Sequence, residues 1–209
     1  VRSALLVFFS FCYLFLGLGR GEIVDRIVAV INDEVITQTD VHINIKFGLV
    51  EDEDDFQGEG AEEAILKRLI DQKLVVQLAS EGVMISEEEL EAFLSDVVQK
   101  TDPYLAEEAL IQFGLDWDDL KSYIREKLLF QKILAQRFSR GVIVSIDEIE
   151  RYYEQVYIPT QREQNLNPQP MIEVLDRLER ELQREKVEEQ VEAWIENLKR
   201  DADIQIINS

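Results

Sequence analysis

One histidine, His42, and one cysteine, Cys12, limit the chemistry this chain can do. Zinc sites of the His/Cys kind need several such ligands, and Ser-His or Cys-His nucleophile systems need an imidazole beside a hydroxyl or thiol. His42 falls in a helical stretch and reads as a half-exposed helix residue rather than a base. The 43 aspartates and glutamates put carboxylates everywhere, so a pair of them carries no acid–base signal. No Gly-rich phosphate loop occurs. The run EDEDDFQGEG at 51–60 invites comparison with a calcium loop. Asp52 and Asp54 fit the first two ligand positions, and Glu63 stands where the twelfth would be. Phe56 nevertheless occupies a ligand position and Gly58 is misplaced for the required turn, so no calcium site is assigned. With no catalytic, cofactor-binding or metal-ligating residue assigned, the chain reads as a binding protein.

A protein that holds other polypeptides needs apolar surface in a groove, rimmed by charge that keeps the complex soluble. A free sheet edge serves extended clients in another way. The candidate peptide-contacting residues are Phe47, Phe113, Tyr123, Phe130, Tyr152, Tyr153 and Tyr157, with Phe56 in the acidic run. Each could equally be spent on core packing or ordinary surface. Trp117 and Trp194 sit on apolar stripes and are expected in the core.

The elements that must position these residues follow from pattern. The stretch IVDRIVAVINDEVITQTDV at 23–41 sets Ile27, Ala29 and Ile31 against Arg26, Val28 and Val30, a two-residue period that suits a strand. Asn32-Asp33 offers a tight turn. Residues 34–37 return, and Thr39 or Asp40 can cap a helix over 41–49. Residues 61–81 place Ile65, Leu69, Ile70, Leu74 and Val75 on one helical face, stopped by Gly82. Ser86 with Glu89 and Ser145 with Glu148 are capping boxes. Between them, Asp102-Pro103 breaks one helix, a short helix over 104–113 ends at Gly114, and a long one runs over 117–138 with Asp116 as cap. The second box opens a helix through Tyr152 and Tyr153. Pro159, Pro168 and Pro170 then mark a linker. Residues 171–200 form one charged helix, whose five-residue step from Leu182 to Val187 departs from a heptad seam. Such a helix is expected along its own domain, with a dimeric coiled coil as the alternative. DIQII at 203–207 reads as a terminal strand whose natural partner is the opening hairpin, which would cover an exposed edge.

The 209 residues, 46% of them hydrophobic, allow a sizeable core. A net charge of −21 argues against binding nucleic-acid backbones or docking electrostatically on anionic lipid. Arg2 followed by the apolar run 4–18 and by Gly17, Gly19 and Gly21 reads as a secretory signal peptide over 1–19, cleaved after Gly19 or Gly21. An uncleaved anchor is the alternative, although a membrane span wants about 20 apolar residues. Cys12 lacks a small-residue box before it, so lipoprotein processing is not expected. The mature chain would carry neither thiol nor disulfide.

Taken in order, IVDRIVAVINDEVITQTDV, a helical body, GLDWDDLKSYIREKLLFQKIL, VIVSIDEIERYYEQ and the closing LQREKVEEQVEAWIENLKRDADIQI resemble the N-terminal chaperone module of SurA-type periplasmic foldases, and more distantly PrsA and PpiD proteins. The resemblance implies a mainly α fold with a small sheet made by the N-terminal hairpin and the C-terminal strand. It implies a helical core over 20–157, a Pro-rich linker over 158–170 where relatives carry parvulin-type isomerase domains, and a closing helix and strand over 171–209. Parvulins use histidines and a cysteine or aspartate in an apolar pocket, and this chain has no spare domain to house one. The implied function is that of an ATP-independent periplasmic holdase without cofactors. Its clients would be unfolded polypeptides of the outer-membrane class, and it would act as a monomer or weak dimer. An envelope adaptor with one folded partner, or a degenerate prolyl isomerase, are the alternatives.

Overall fold

The computed structural model describes residues 25–50, 60–138 and 142–207. The leader, residues 51–59 of the calcium-like run with Phe56, and Gly141 lie outside the described residues. Two strands open the fold, β1 (Ile27–Ile31) and β2 (Glu34–Thr37), joined at Asn32-Asp33 with Asn32 in the left-handed region at φ 51°. Ile27 pairs with Thr37 but Ala29 pairs with Ile36, leaving Val28 as an extra residue. This bulge breaks the strict alternation expected from the sequence. Val28, Ala29 and Ile31 are all buried, while Ile27 turns outward.

Helix α1 (Gln38–Lys46) starts earlier than the pattern suggests. Its cap is Thr37, not Thr39 or Asp40: the Thr37 side chain accepts from the Asp40 N–H, and the Thr37 N–H donates to the Asp40 carboxylate at 2.7 Å. Aspartate thus does at the third helical position what glutamate does in the usual box. Next come α2 (Ala61–Ala79), α3 (Glu87–Thr101), α4 (Pro103–Phe113) and α5 (Trp117–Phe138). Helix α2 stops at Ala79, short of the expected stop at Gly82, whereas local chemistry sets the ends of the next three as anticipated. Ser86 and Glu89 form their reciprocal cap, Asp102 accepts from Tyr104 and Leu105, and Gly114 closes α4 in the left-handed conformation. Asp116 Oδ1 accepts from the Asp118 and Asp119 N–H groups.

Helix α6 (Ile146–Tyr152), capped by Ser145 and Glu148, runs on through a π-helical turn at Tyr153–Tyr157 into α7 (Ile158–Glu163). The first six residues of the Pro-rich stretch over 158–170 are thus helical. Pro159 explains the π turn. Its ring has no N–H and would clash with the carbonyl four residues back, and widening the preceding turn relieves both problems. The Ile158 N–H reaches back to Tyr153 O across that turn.

Helix α8 (Met171–Asp201) leads into β3 (Ile204–Ile206), giving an all-antiparallel sheet of order β2-β1-β3. Residues from the far end of the chain complete the opening hairpin, as the fold-class expectation required. The Asn32 N–H donates to Asp203 O at 2.8 Å, the Asp203 N–H to Asn32 Oδ1 at 3.1 Å, and the Ile207 N–H to Val28 O at 2.9 Å. Asn32 Nδ2 also donates to Gln77 on α2 at 3.0 Å.

Among the described residues, four apolar clusters lie beneath these elements. The sheet packs on α1, α2 and the end of α8. Helices α1, α3, α4 and α5 enclose Ile43, Phe47, Leu90, Leu110, Leu120 and Ile124. Helices α2, α5 and α8 share Val75, Ile133 and Ile195. Ile149, Tyr157, Val174 and Leu178 form a smaller lobe of α6, α7 and the first half of α8. Helix α8 joins that lobe to the body, and none of its residues between Leu178 and Ile195, about 25 Å of helix, is buried.

Candidate functional site

That unburied stretch of α8 forms one wall of a groove of 1290 Å³ between α2, α5 and α8. Its apolar surface comes from Leu49 and Val50 after α1, from Phe130, Leu134 and Phe138 on α5, and from Val187, Val191 and Ile195 on α8. The lining runs along α8 from Gln183 to Lys199, about 24 Å, room for roughly seven residues of extended chain. Most of these apolar side chains are half-buried: they rest on the core below and keep a face in the groove.

Charge is arranged around this surface. At one end the walls are tied by Lys199 Nζ, 2.6 Å from Asp71 Oδ1 on α2 and 3.0 Å from Glu196. Burial pushes the Asp71 carboxyl up from its ordinary value, with Lys199 pulling it partly back. Burial alone would lower Lys199, but Asp71 and Glu196 outweigh it and its amine is raised. Lys127 is buried within the lining, its amine 5.5 Å from the centre of the Phe93 ring and 3.5 Å from Gly48 O. Lys67 and Arg68 stand on the α2 wall, and Glu188, Glu192 and Glu196 on α8. Beside the groove, Phe138 meets Trp194 edge-on at 5.8 Å, and the Arg137 guanidinium lies 4.3 Å over the indole.

Longer-range contacts hold the walls. Lys73 on α2 bridges Glu34 on β2 at 3.2 Å and Glu126 on α5 at 3.3 Å. Burial works to lower Lys73, yet the two carboxylates together raise it. Tyr123 on α5 donates to Asp40 at 2.6 Å, locking α5 to the capped start of α1. Burial first, and that hydrogen bond second, raise its phenol well above the ordinary value.

Of the eight aromatic residues singled out in the sequence, seven are among the described residues, and of these Phe130 alone lines this groove. Phe47 is buried in the α1–α5 cluster, and Phe113 and Tyr123 pack against the same cluster. Tyr157 is buried in the smaller lobe, where Tyr153 stacks on it at 5.5 Å and Arg177 lies 5.2 Å over its ring. The Tyr153 hydroxyl donates to Gln169 O, and the Gln169 N–H donates to Tyr157 Oη, so this pair pins the Pro-rich stretch. Tyr152 packs on the same lobe and donates to Glu185 at 3.3 Å; burial and the charges of Glu181 and Glu185 push its phenol up to about 12. His42 sits 5.9 Å from the Phe113 ring and 3.5 Å from Glu62, on α1 away from the groove. Trp117 and Trp194 are half-buried against the clusters.

Sequence reasoning missed Leu134, Phe138 and the α8 wall. The available signal was the step from Leu182 to Val187, which rotates the apolar stripe of α8 off its first lobe. Among the described residues, no helix is long and apolar enough to cross a membrane, and no cluster of His, Cys, Asp or Glu is arranged to hold a metal ion.

The chain is similar to "Chaperone SurA" of Legionella pneumophila strain Paris, 22% identical over 151 residues that cover 68% of this chain and 35% of that protein. It is also similar to "Chaperone SurA" of Nitrosospira multiformis, 27% identical over 182 residues covering 80% of this chain and 40% of that protein. The aligned chain thus spans well under half the length of these relatives. Among solved structures it resembles a chain from a study of PEB4 and Cj1289, described as two structurally related SurA-like chaperones of Campylobacter jejuni. That match has 12% identity and a TM-score of 0.49, covering 88% of this chain and 100% of the other. Residues 24–134, more than half of the chain, match the model of the SurA N-terminal domain, and the protein belongs to that family.

Proposed function

We propose that this protein is an ATP-independent chaperone of the periplasm that holds unfolded polypeptides, of the outer-membrane class, in the groove between α2, α5 and α8. The observation that carries this reading is the groove itself: half-buried apolar side chains over about 24 Å, rimmed by charge, in a chain of the SurA N-terminal family. Its length suits an extended segment, and its apolar lining asks little of the client's sequence. Phe130, Leu134, Phe138, Val187 and Val191 make the client contacts. Phe47 and Tyr157 support the walls from the core, and Phe113, Tyr123, Tyr152 and Tyr153 act as packing and positioning residues. Binding and release need no catalytic group.

The test is suppression of aggregation. The purified protein at near-equimolar ratio keeps several unrelated unfolded outer-membrane proteins soluble, and Val187→Asp in the groove weakens this while circular dichroism stays unchanged. An adaptor for a single folded partner would leave all of those clients to aggregate. Proline-peptide isomerisation above the spontaneous rate would show an enzyme instead.

A further inference from the structure

The link between α5 and α6 is built unlike an ordinary connection between helices. Val142, Ile143 and Val144 are consecutive β-branched residues, which favour extended backbone, where turn formers are the usual choice. The chain there is neither helical nor turned, and Ser145, next in line, is extended at φ −82° and ψ 156°. Side chains alternate as in a strand: Val142 lines the groove, Ile143 is 88% exposed, and Val144 packs on the smaller lobe. Ile143 is the most exposed large apolar side chain among the described residues. Among those residues, no hydrogen bond reaches the main chain of Val142, Ile143 or Val144. Pairing resumes only at the Ser145 N–H, which donates to Glu148 in the cap of α6. Lys186 holds Glu148 at 2.6 Å and so keeps the start of α6 against α8. The run therefore sits at the lobe end of the groove, opposite the tie between Lys199 and Asp71.

An extended run with unpaired N–H and C=O groups is a short strand edge. It can make roughly two to four main-chain hydrogen bonds with a neighbouring strand, according to which side it turns to that neighbour. The ligand that completes such an edge is another extended polypeptide, because a peptide backbone repeats donor and acceptor at strand spacing. A lipid tail or a small apolar molecule would cover the groove floor and leave the edge unpaired. A polypeptide lying beside the run keeps its pleat: alternate side chains point down with Val142 onto the apolar floor, and the others point out beside Ile143. Resting on the groove as client site, we propose that an unfolded client docks by strand addition to Val142–Val144, the groove taking its side chains and this run its backbone. Backbone pairing does not read side-chain identity, so it adds affinity and a fixed alignment for clients that share no sequence.

The experiment uses the whole protein, isotope-labelled, and one apolar nonapeptide whose binding is first measured by fluorescence anisotropy. Amide hydrogen exchange at Val142, Ile143 and Val144 is then read by nuclear magnetic resonance with and without the peptide. Exchange is expected to slow at least about tenfold on binding, at Ile143 or at the Val142 and Val144 pair, since alternate residues face opposite edges. Two further peptides of the same sequence carry N-methyl groups at odd or at even positions. An added strand pairs along one edge, so one of these should bind at least about tenfold weaker than the parent and the other within about threefold of it. Unchanged exchange at all three amides in a peptide-bound protein overturns strand addition and leaves the groove as client site. Equal affinity of the two methylated peptides overturns it as well. Failure of the parent peptide to bind at all overturns the groove itself.

Discussion

Asn32 is the residue at which the two ends of the chain are joined, and replacing it measures what the joint contributes. Its side chain accepts from the Asp203 N–H at 3.1 Å and donates to Gln77 at 3.0 Å, and its backbone holds φ at 51°. Alanine loses both side-chain hydrogen bonds, about 0.5–1.5 kcal/mol each. It must also adopt a left-handed backbone that costs an L-residue with a Cβ about 1–2 kcal/mol. Asn32→Ala is therefore expected to destabilise the fold by roughly 2–5 kcal/mol. Asn32→Gly loses the same hydrogen bonds but accepts the backbone, so its loss should be smaller by about 1 kcal/mol, even though glycine gains entropy in the unfolded chain. Urea titration followed by far-ultraviolet circular dichroism gives both numbers. If glycine is as damaging as alanine, the left-handed turn is not what Asn32 supplies. If neither variant shifts the midpoint, the joint between β1 and β3 contributes nothing to stability.

The capping glutamates predict a pH dependence. Glu89 is held down to about 2 by Lys132 and then by Ser86, and Glu148 to about 2 by Lys186 and then by Ser145, against an ordinary 4.5. A depressed carboxylate stabilises the fold above 4.5 and loses that contribution as pH falls toward 2. Glutamine still completes the cap, so urea midpoints of Glu89→Gln should fall less steeply than the parent's across that window; parallel curves would contradict this. Tyr123→Phe, which removes the 2.6 Å hydrogen bond to Asp40, should cost about 1.5–3 kcal/mol in the same urea assay, and no loss would mean that α5 is not anchored there. Leu178→Ala, at a fully buried position in the smaller lobe, should cost about 2–5 kcal/mol, and a value under 1 would mark that lobe as loosely packed.

Local chemistry was legible in the sequence, and shared surface was not. Ser86-Glu89, Ser145-Glu148 and Asp102-Pro103 act on their own neighbours, so their spacing announced the helix ends that the structure shows. The pairing of DIQII with the hairpin was readable because an apolar strand at each end of a helical chain leaves few other partners. Thr37 as cap was missed because Thr37, Thr39 and Asp40 all have capping side chains, and only the hydrogen bonds decide among them. The bulge at Val28 depends on pairing across strands. The aromatic candidates show the limit most clearly. Phe47 and Phe130 look alike in sequence, yet four helices close over the first, while the second is left half-buried where α8 stands away from α5. No local pattern encodes that gap, because it is set by how α8 bridges from one lobe to the other.

Photocrosslinking tests the groove most directly. A photoreactive residue is placed at Phe130, Val187 or Val191 in the groove, and at Tyr104 or Ile111, which are exposed on the outer face of α4. The protein is then mixed with an unfolded outer-membrane protein. A client held between α2, α5 and α8 gives crosslinks from the three groove positions and only background from α4. Crosslinks from α4 with none from the groove would contradict the assignment of the client site.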